Sequence, residues 1–150
     1  MMTNTAFLKQ YRETHLELRV MERQLAMCGT TGKPSGAHIC RYDSISRNTN
    51  DVTAAAIQMQ DGLEATIADL RSELADMDVR FEGLLRRGRN FRDRYILRQY
   101  YQLCLTDSQI AEFLDVSTRH ANRLRTELLA FLDEPSIMSA PVVVCPTVSC

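Results

Sequence analysis

The 150-residue chain has no run of about 18 apolar residues, so no membrane span is expected. Its opening residues, Met1 to Thr5, place no basic region ahead of an apolar core, so no secretory signal is expected either. Glycine and proline are scarce at 6 and 4, and charged residues make up 25%, which argues against a mainly disordered or collagen-like chain. The five cysteines, Cys28, Cys40, Cys104, Cys145 and Cys150, are odd in number and contain no Cys-x-x-Cys pair. Reduced thiols in a cytoplasm are the expectation. Cys28, His38 and Cys40 lie near one another, yet no fourth ligand follows at a recognisable spacing, so no metal is expected. There is also no Gly-rich phosphate loop or nucleophile elbow, and His15, His38 and His120 are scattered. An enzyme and a bound cofactor are therefore not expected.

The net charge of −1 gives no hint of a nucleic-acid partner as a whole, but it hides strong segregation. Residues 1–85 carry 9 bases and 12 acids, a net −3. Residues 86–125 carry 9 bases and 4 acids, a net +5, and every one of those bases is arginine. Residues 126–150 carry 3 acids and no base. Arginine is the side chain best suited to bidentate phosphate and base contacts. A charged stretch is more often a plain solvated face, so this observation needs support from pattern.

The pattern is helical throughout. Phe7, Tyr11, Thr14, Leu18, Met21, Leu25 and Cys28 alternate spacings of four and three, predicting a helix from about Ala6 to Cys28. Thr3 to Thr5 offer N-caps and Gly29 a stop. Residues 29–51 show no helical period and predict a long loop. From about Asp51 to Arg87, Leu63, Ile67, Leu70, Leu74, Met77, Phe81 and Leu84 form an unbroken coiled-coil seam. The first helix, in an antiparallel hairpin, or a second copy of the chain could cover that seam, and the spacing alone does not choose. Asn90 to Cys104 predicts another helix, with Phe91, Tyr95, Ile96, Tyr100 and Leu103 as its apolar positions. Residues 134–150, with the run PVVVCP, predict a loosely ordered tail. The expected fold is all-α, divided into a helical hairpin over 1–87, a second helical unit over 88–133 and the tail.

Gln109 to Leu132 carries the chemistry. Thr106 and Gln109 match a capping box, and Ile110, Ala111, Phe113 and Leu114 fill a short helix behind it. A helix-turn-helix needs a small residue where its helices cross, then an apolar contact, a turn residue tolerant of positive φ, an apolar anchor and a cap. Ala111, Leu114, Asp115, Val116 and Ser117 fill those places in order, with Asp115 where glycine is usual. Ala121, Leu124 and Leu128 then face inward, leaving Thr118, Arg119, Asn122, Arg123 and Thr126 outward. Those types reach phosphates and base edges in a major groove, arginine to guanine and asparagine to adenine. The expected contact set is Ser117, Thr118, Arg119, His120, Asn122, Arg123 and Thr126, with Arg89, Arg92 and Arg94 on phosphates. The bland alternative is a helix pair with arginine on its solvent side.

Tyr95-Ile-Leu-Arg-Gln-Tyr-Tyr, Leu105-Thr-Asp-Ser-Gln-Ile-Ala-Glu-Phe-Leu and Val116-Ser-Thr-Arg-His-Ala-Asn-Arg-Leu together resemble region 4 of bacterial sigma factors. The layout of residues 6–132 is similar to phage regulators of the ArpU and RinA kind, including the loop residues Gly32, Pro34, Tyr42, Asp43, Asp51, Thr53 and Ala54. Asp115 for glycine and Ala121 for the usual Val or Ile depart from the pattern. The resemblance implies a double-stranded DNA-binding transcription regulator that activates phage late genes together with host RNA polymerase. Self-association through the helical hairpin is a further expectation. One rival is a packaging adaptor of the small terminase kind, which also joins a helix-turn-helix to an oligomerising hairpin but usually places the module first. Another is a coiled-coil interaction protein whose helix pair no longer binds DNA.

Overall fold

The computed structural model describes residues 2–30 and 49–135, and all regular structure among them is helical. The expected tail, most of the loop, and the candidates His38 and Cys40 lie outside the described residues. Among the described residues, no helix is long and apolar enough to cross a membrane.

Helix α1 spans Asn4–Thr30 and α2 spans Thr49–Arg87. The Thr3 hydroxyl accepts from the Ala6 amide at 3.1 Å, and the Phe7 amide donates to the Thr3 carbonyl at 3.0 Å, so the expected capping threonine starts α1. At the other end the helix passes through Gly29, which the sequence marks as a stop. The two helices lie antiparallel. Tyr11 Oη donates to Asp78 Oδ1 at 2.6 Å, whereas Arg71 Nη2 donates to Glu22 Oε1 at 2.8 Å, so position rises on α1 as it falls on α2. The two apolar stripes face each other, and the Tyr11 and Phe81 rings stack at 4.5 Å. The seam of α2 is thus covered within the chain rather than left for a second copy.

Gly88 allows the sharp exit from α2. A Cβ there would meet Arg94 Cγ at 2.9 Å and the Leu85 carbonyl at 3.1 Å, closer than side chains pack. Helix α3, Phe91–Leu97, then starts on Asn90, whose side chain accepts from the Asp93 amide. It runs on into a π-helical turn, Arg98–Gln102, closed by the Leu103 amide on the Arg98 carbonyl at 2.9 Å. The helix expected over Asn90 to Cys104 is present, as an α segment that ends in a π turn. The chain leaves the turn through Cys104, at a φ of 57°.

The apolar face differs in part from the expected one. Ile96, Leu97 and Tyr101 are buried, while Phe91 and Leu103 are exposed. Helices α4, Asp107–Leu114, and α5, Thr118–Asp133, complete the fold. One apolar cluster runs from Phe7, Leu8 and Tyr11 through Phe81, Leu84 and Leu85 to Ile96, Leu97, Tyr101, Ile110, Leu128 and Leu132. Each fully buried side chain of this kind contributes about 1.5–3 kcal/mol relative to exposure. Polar contacts close the same joint. Asn4 Nδ2 donates to the Leu132 carbonyl at 2.7 Å, and the Thr5 amide and hydroxyl both donate to the Asp133 carboxylate. The start of α1 is therefore fastened to the end of α5.

Candidate nucleic-acid interface

Local sequence sets the geometry of the α4–α5 pair. The Thr106 hydroxyl accepts from the Gln109 amide at 3.3 Å, and Gln109 Oε1 accepts from the Thr106 amide at 3.0 Å, completing a capping box. At the far end Asp115 adopts φ 55° and ψ 47°, the left-handed conformation that aspartate tolerates better than most non-glycine residues. The Val116 amide returns to the Ala111 carbonyl at 3.0 Å. Ser117 then caps α5, accepting from the His120 amide at 3.2 Å. Three residues, Asp115 to Ser117, thus reverse the chain, and Ala111 and Ala121 are both buried where bulkier side chains would hold the helices apart.

The inner face of α5 is apolar and fully covered at Leu128 and Leu132. Ser117, Thr118, Arg119, His120, Asn122, Arg123 and Thr126 are all exposed on or next to its first half. Besides the capping Ser117, three of these have partners. Arg123 Nε pairs with Glu127 Oε1 at 2.8 Å, Asn122 Nδ2 donates to Asp107 Oδ2 at 3.1 Å, and the Thr126 hydroxyl donates to the Asn122 carbonyl. The Arg123–Glu127 pair is open to water, so it is worth at most about 1 kcal/mol and yields readily to a stronger anion.

Arg125 was not singled out by sequence, yet it anchors the helix. Its guanidinium meets Asp107 through Nε at 3.0 Å and Nη2 at 2.9 Å, a fork on one carboxylate. It also lies over the Tyr100 ring at 4.1 Å, a ring shared with Arg12 at 4.3 Å. The Arg125 hydrogen bonds hold the Asp107 carboxyl below the usual carboxylate range, against the opposing effect of its partial burial. This cluster ties the first turn of α4, the π turn, α1 and α5 together, fixing how α5 is presented.

The three arginines expected on phosphates are placed differently from one another. Arg89 bonds Asp93 Oδ2 at 3.0 Å and lies over Phe131 at 4.7 Å, near the C-terminal end of α5. Arg119 and Phe131 are about 18 Å apart along the helix, so Arg89 is not beside the exposed N-terminal half. Arg92 is exposed. Arg94 is also exposed and, with Arg98, Phe91, Tyr95 and Gln99, lines an open groove of about 410 Å³. Tyr95 stacks on the exposed Phe113 ring of α4 at 4.9 Å. Compared with known proteins, the chain matches no family model, no curated protein and no solved structure.

Proposed function

We propose that α4 and α5 form a sigma region 4-like helix-turn-helix and that the chain is a sequence-specific regulator of transcription on double-stranded DNA. In this reading α5 is the recognition helix, carried by an antiparallel, coiled-coil-like hairpin of α1 and α2. One observation carries it. The first half of α5 exposes Thr118, Arg119, Asn122 and Arg123 together, while Asp107, Arg125 and the buried alanines fix the helix behind them. A rigid helix with Arg and Asn outward is what major-groove readout requires. Arg92 suits a phosphate contact, as does Arg94, whereas the Asp93 and Phe131 contacts of Arg89 give that side chain a structural task. The sequence resemblance extends the proposal to activation of phage late genes with host RNA polymerase in the bacterial cytoplasm.

The test is a selection of bound fragments from the source genome, followed by binding of variants to the selected duplex at stated salt. Fragments upstream of late genes support the proposal, and fragments from a packaging initiation site support a packaging adaptor instead. Arg123→Ala is expected to weaken cognate binding by about 1–3 kcal/mol, or about 10- to 100-fold. Unchanged affinity in that variant removes Arg123 from the contact set. Failure of the intact protein to retain any duplex at low salt overturns the DNA reading.

A further inference from the structure

Among the described residues, two helix faces are left open and are complementary to each other. The first is on α3. Phe91, Arg94, Tyr95 and Arg98 follow one another at helical spacings of three, one and three, which puts them on one side. Together with Gln99 they line the open groove, which has two cations and no carboxylate on its walls. Phe91 is 73% exposed and Phe113, stacked on Tyr95 at the neighbouring helix, is 72% exposed. Neither Arg94 nor Arg98 forms an ion pair among the described residues.

The second face is on the far end of α2. Glu22 pairs with Arg71, and Leu25 lines one cleft with Ile67 and Ala68, so α1 ends close to the level of Leu63, and every described side chain from Ala54 to Gln60 is exposed. Ile57, Asp61 and Glu64 stand at i, i+4 and i+7, one apolar residue and two carboxylates on one side of the helix. Ile57 is 54% exposed. From Ala54 to Asp69 the segment carries acids and no base.

The two faces cannot meet within one molecule. Ile57 lies about 45 Å along α2 from Arg87, and the residues between Arg87 and Phe91 reach back only about 14 Å. We propose that the occupant of the α3 groove is the distal end of α2 from a second copy of the chain. Ile57 seats against Phe91 and Tyr95, while Asp61 and Glu64 pair with Arg94 and Arg98. The coiled-coil seam is already covered by α1, so self-association uses the overhang beyond it. Because the contact joins two different faces, a bound pair still offers one of each, so further copies can add to it. The contact is small and partly electrostatic, so it is weak and salt-sensitive.

The experiment is sedimentation of the full chain from low to high micromolar concentration, without DNA, for the parent and two charge-reversed variants. One variant is R94E/R98E and the other is D61R/E64R, each checked by circular dichroism. The parent is expected to gain mass with concentration and to lose it as salt rises. Each variant alone is expected to associate at least about tenfold more weakly. Mixing the two reversed variants is expected to restore association, because the opposed charges are then exchanged. A parent that stays monomeric throughout, or reversed variants that associate as the parent does, overturns the proposal. Failure of the mixture to recover while both variants are folded also overturns it, and the groove is then assigned to an acidic partner other than this chain. DNA binding is read separately on D61R/E64R, which changes no residue of the proposed DNA contact set, so loss of self-association leaves the regulatory proposal standing or falling on its own test.

Discussion

The two ends of the α1–α2 pair are built from one continuous pattern and end in different states. At the end nearest α3, Phe7, Leu8, Tyr11, Phe81, Leu84 and Leu85 are all buried, because α5 and the π turn close over them. Toward the other end Leu63 is half-buried, and Val20, Met27, Ile57 and Met59 are exposed. Between these ends Ile67, Leu70 and Leu74 are buried, so two helices cover the seam where they run side by side. A third layer at the junction adds positions beside the seam, Leu8 and Leu85, to the core. The expected stability of the molecule is concentrated accordingly at the junction, next to the helix proposed to read DNA.

The strongest way to break this contrast is to truncate one large apolar side chain at each end. Phe81→Ala deletes a ring that is 1% exposed and stacked on Tyr11, and is expected to cost about 3–5 kcal/mol in urea unfolding. Met59→Ala removes a side chain 62% exposed and is expected to stay within about 0.5 kcal/mol. Comparable losses at both positions would show that the distal end is packed as tightly as the junction.

Ion pairs sharpen the comparison at a smaller scale. Arg125 and Asp107 have side chains only 16% and 19% exposed, whereas Arg71 and Glu22 of the distal pair are 64% and 42% exposed. Arg125→Ala strands a largely shielded carboxylate and removes the contact with Tyr100. A loss of about 2 kcal/mol is expected, between the values for surface and buried pairs. Arg71→Ala is expected to cost at most about 1 kcal/mol. Adding Asp107→Ala to the first variant should return part of its loss, and a double variant worse than the sum of both singles would contradict the pairing.

How far the sequence reaches follows the same division. The stripes of α1 and α2, the capping box at Thr106, the cap at Ser117 and the left-handed Asp115 are legible because each depends on residues within about one helical turn. The outward set on α5 is legible as spacing for the same reason. Leu8 is not, because it lies beside the α1 stripe and joins a core completed by elements about ninety residues or more later in the chain. The π turn has no spacing signature of its own. Its extra residue turns Tyr101 inward, while Phe91 remains exposed despite fitting an apolar pattern. The Asp107–Arg125 fork joins two helices across a turn, so charge counting sees a basic module where the fold has already neutralised one arginine. Arg89 is a similar case, since nothing local announces that Asp93 and Phe131 hold it.

The smallest effect tests the boundary between the two regions, where His15 sits edge-on to Tyr11 at 4.6 Å. Its Nε2 is buried without a hydrogen-bond partner. Burial lowers its pKa from the ordinary 6.5, with Arg19 acting in the same direction and Asp78 opposing. The folded state therefore resists the proton that the unfolded chain accepts. Stability is unaffected well above pH 6.5, falls as pH drops through that value, and stops falling below the lowered folded pKa. Asp107 does not mimic this, because its stabilisation is lost only below the ordinary carboxylate value of 3.8. Urea midpoints measured between about pH 7 and about pH 5 should decline for the parent and decline less for His15→Gln. An identical decline in both would mean that His15 is solvated in the folded protein and that the closed end of the helix pair stops short of it.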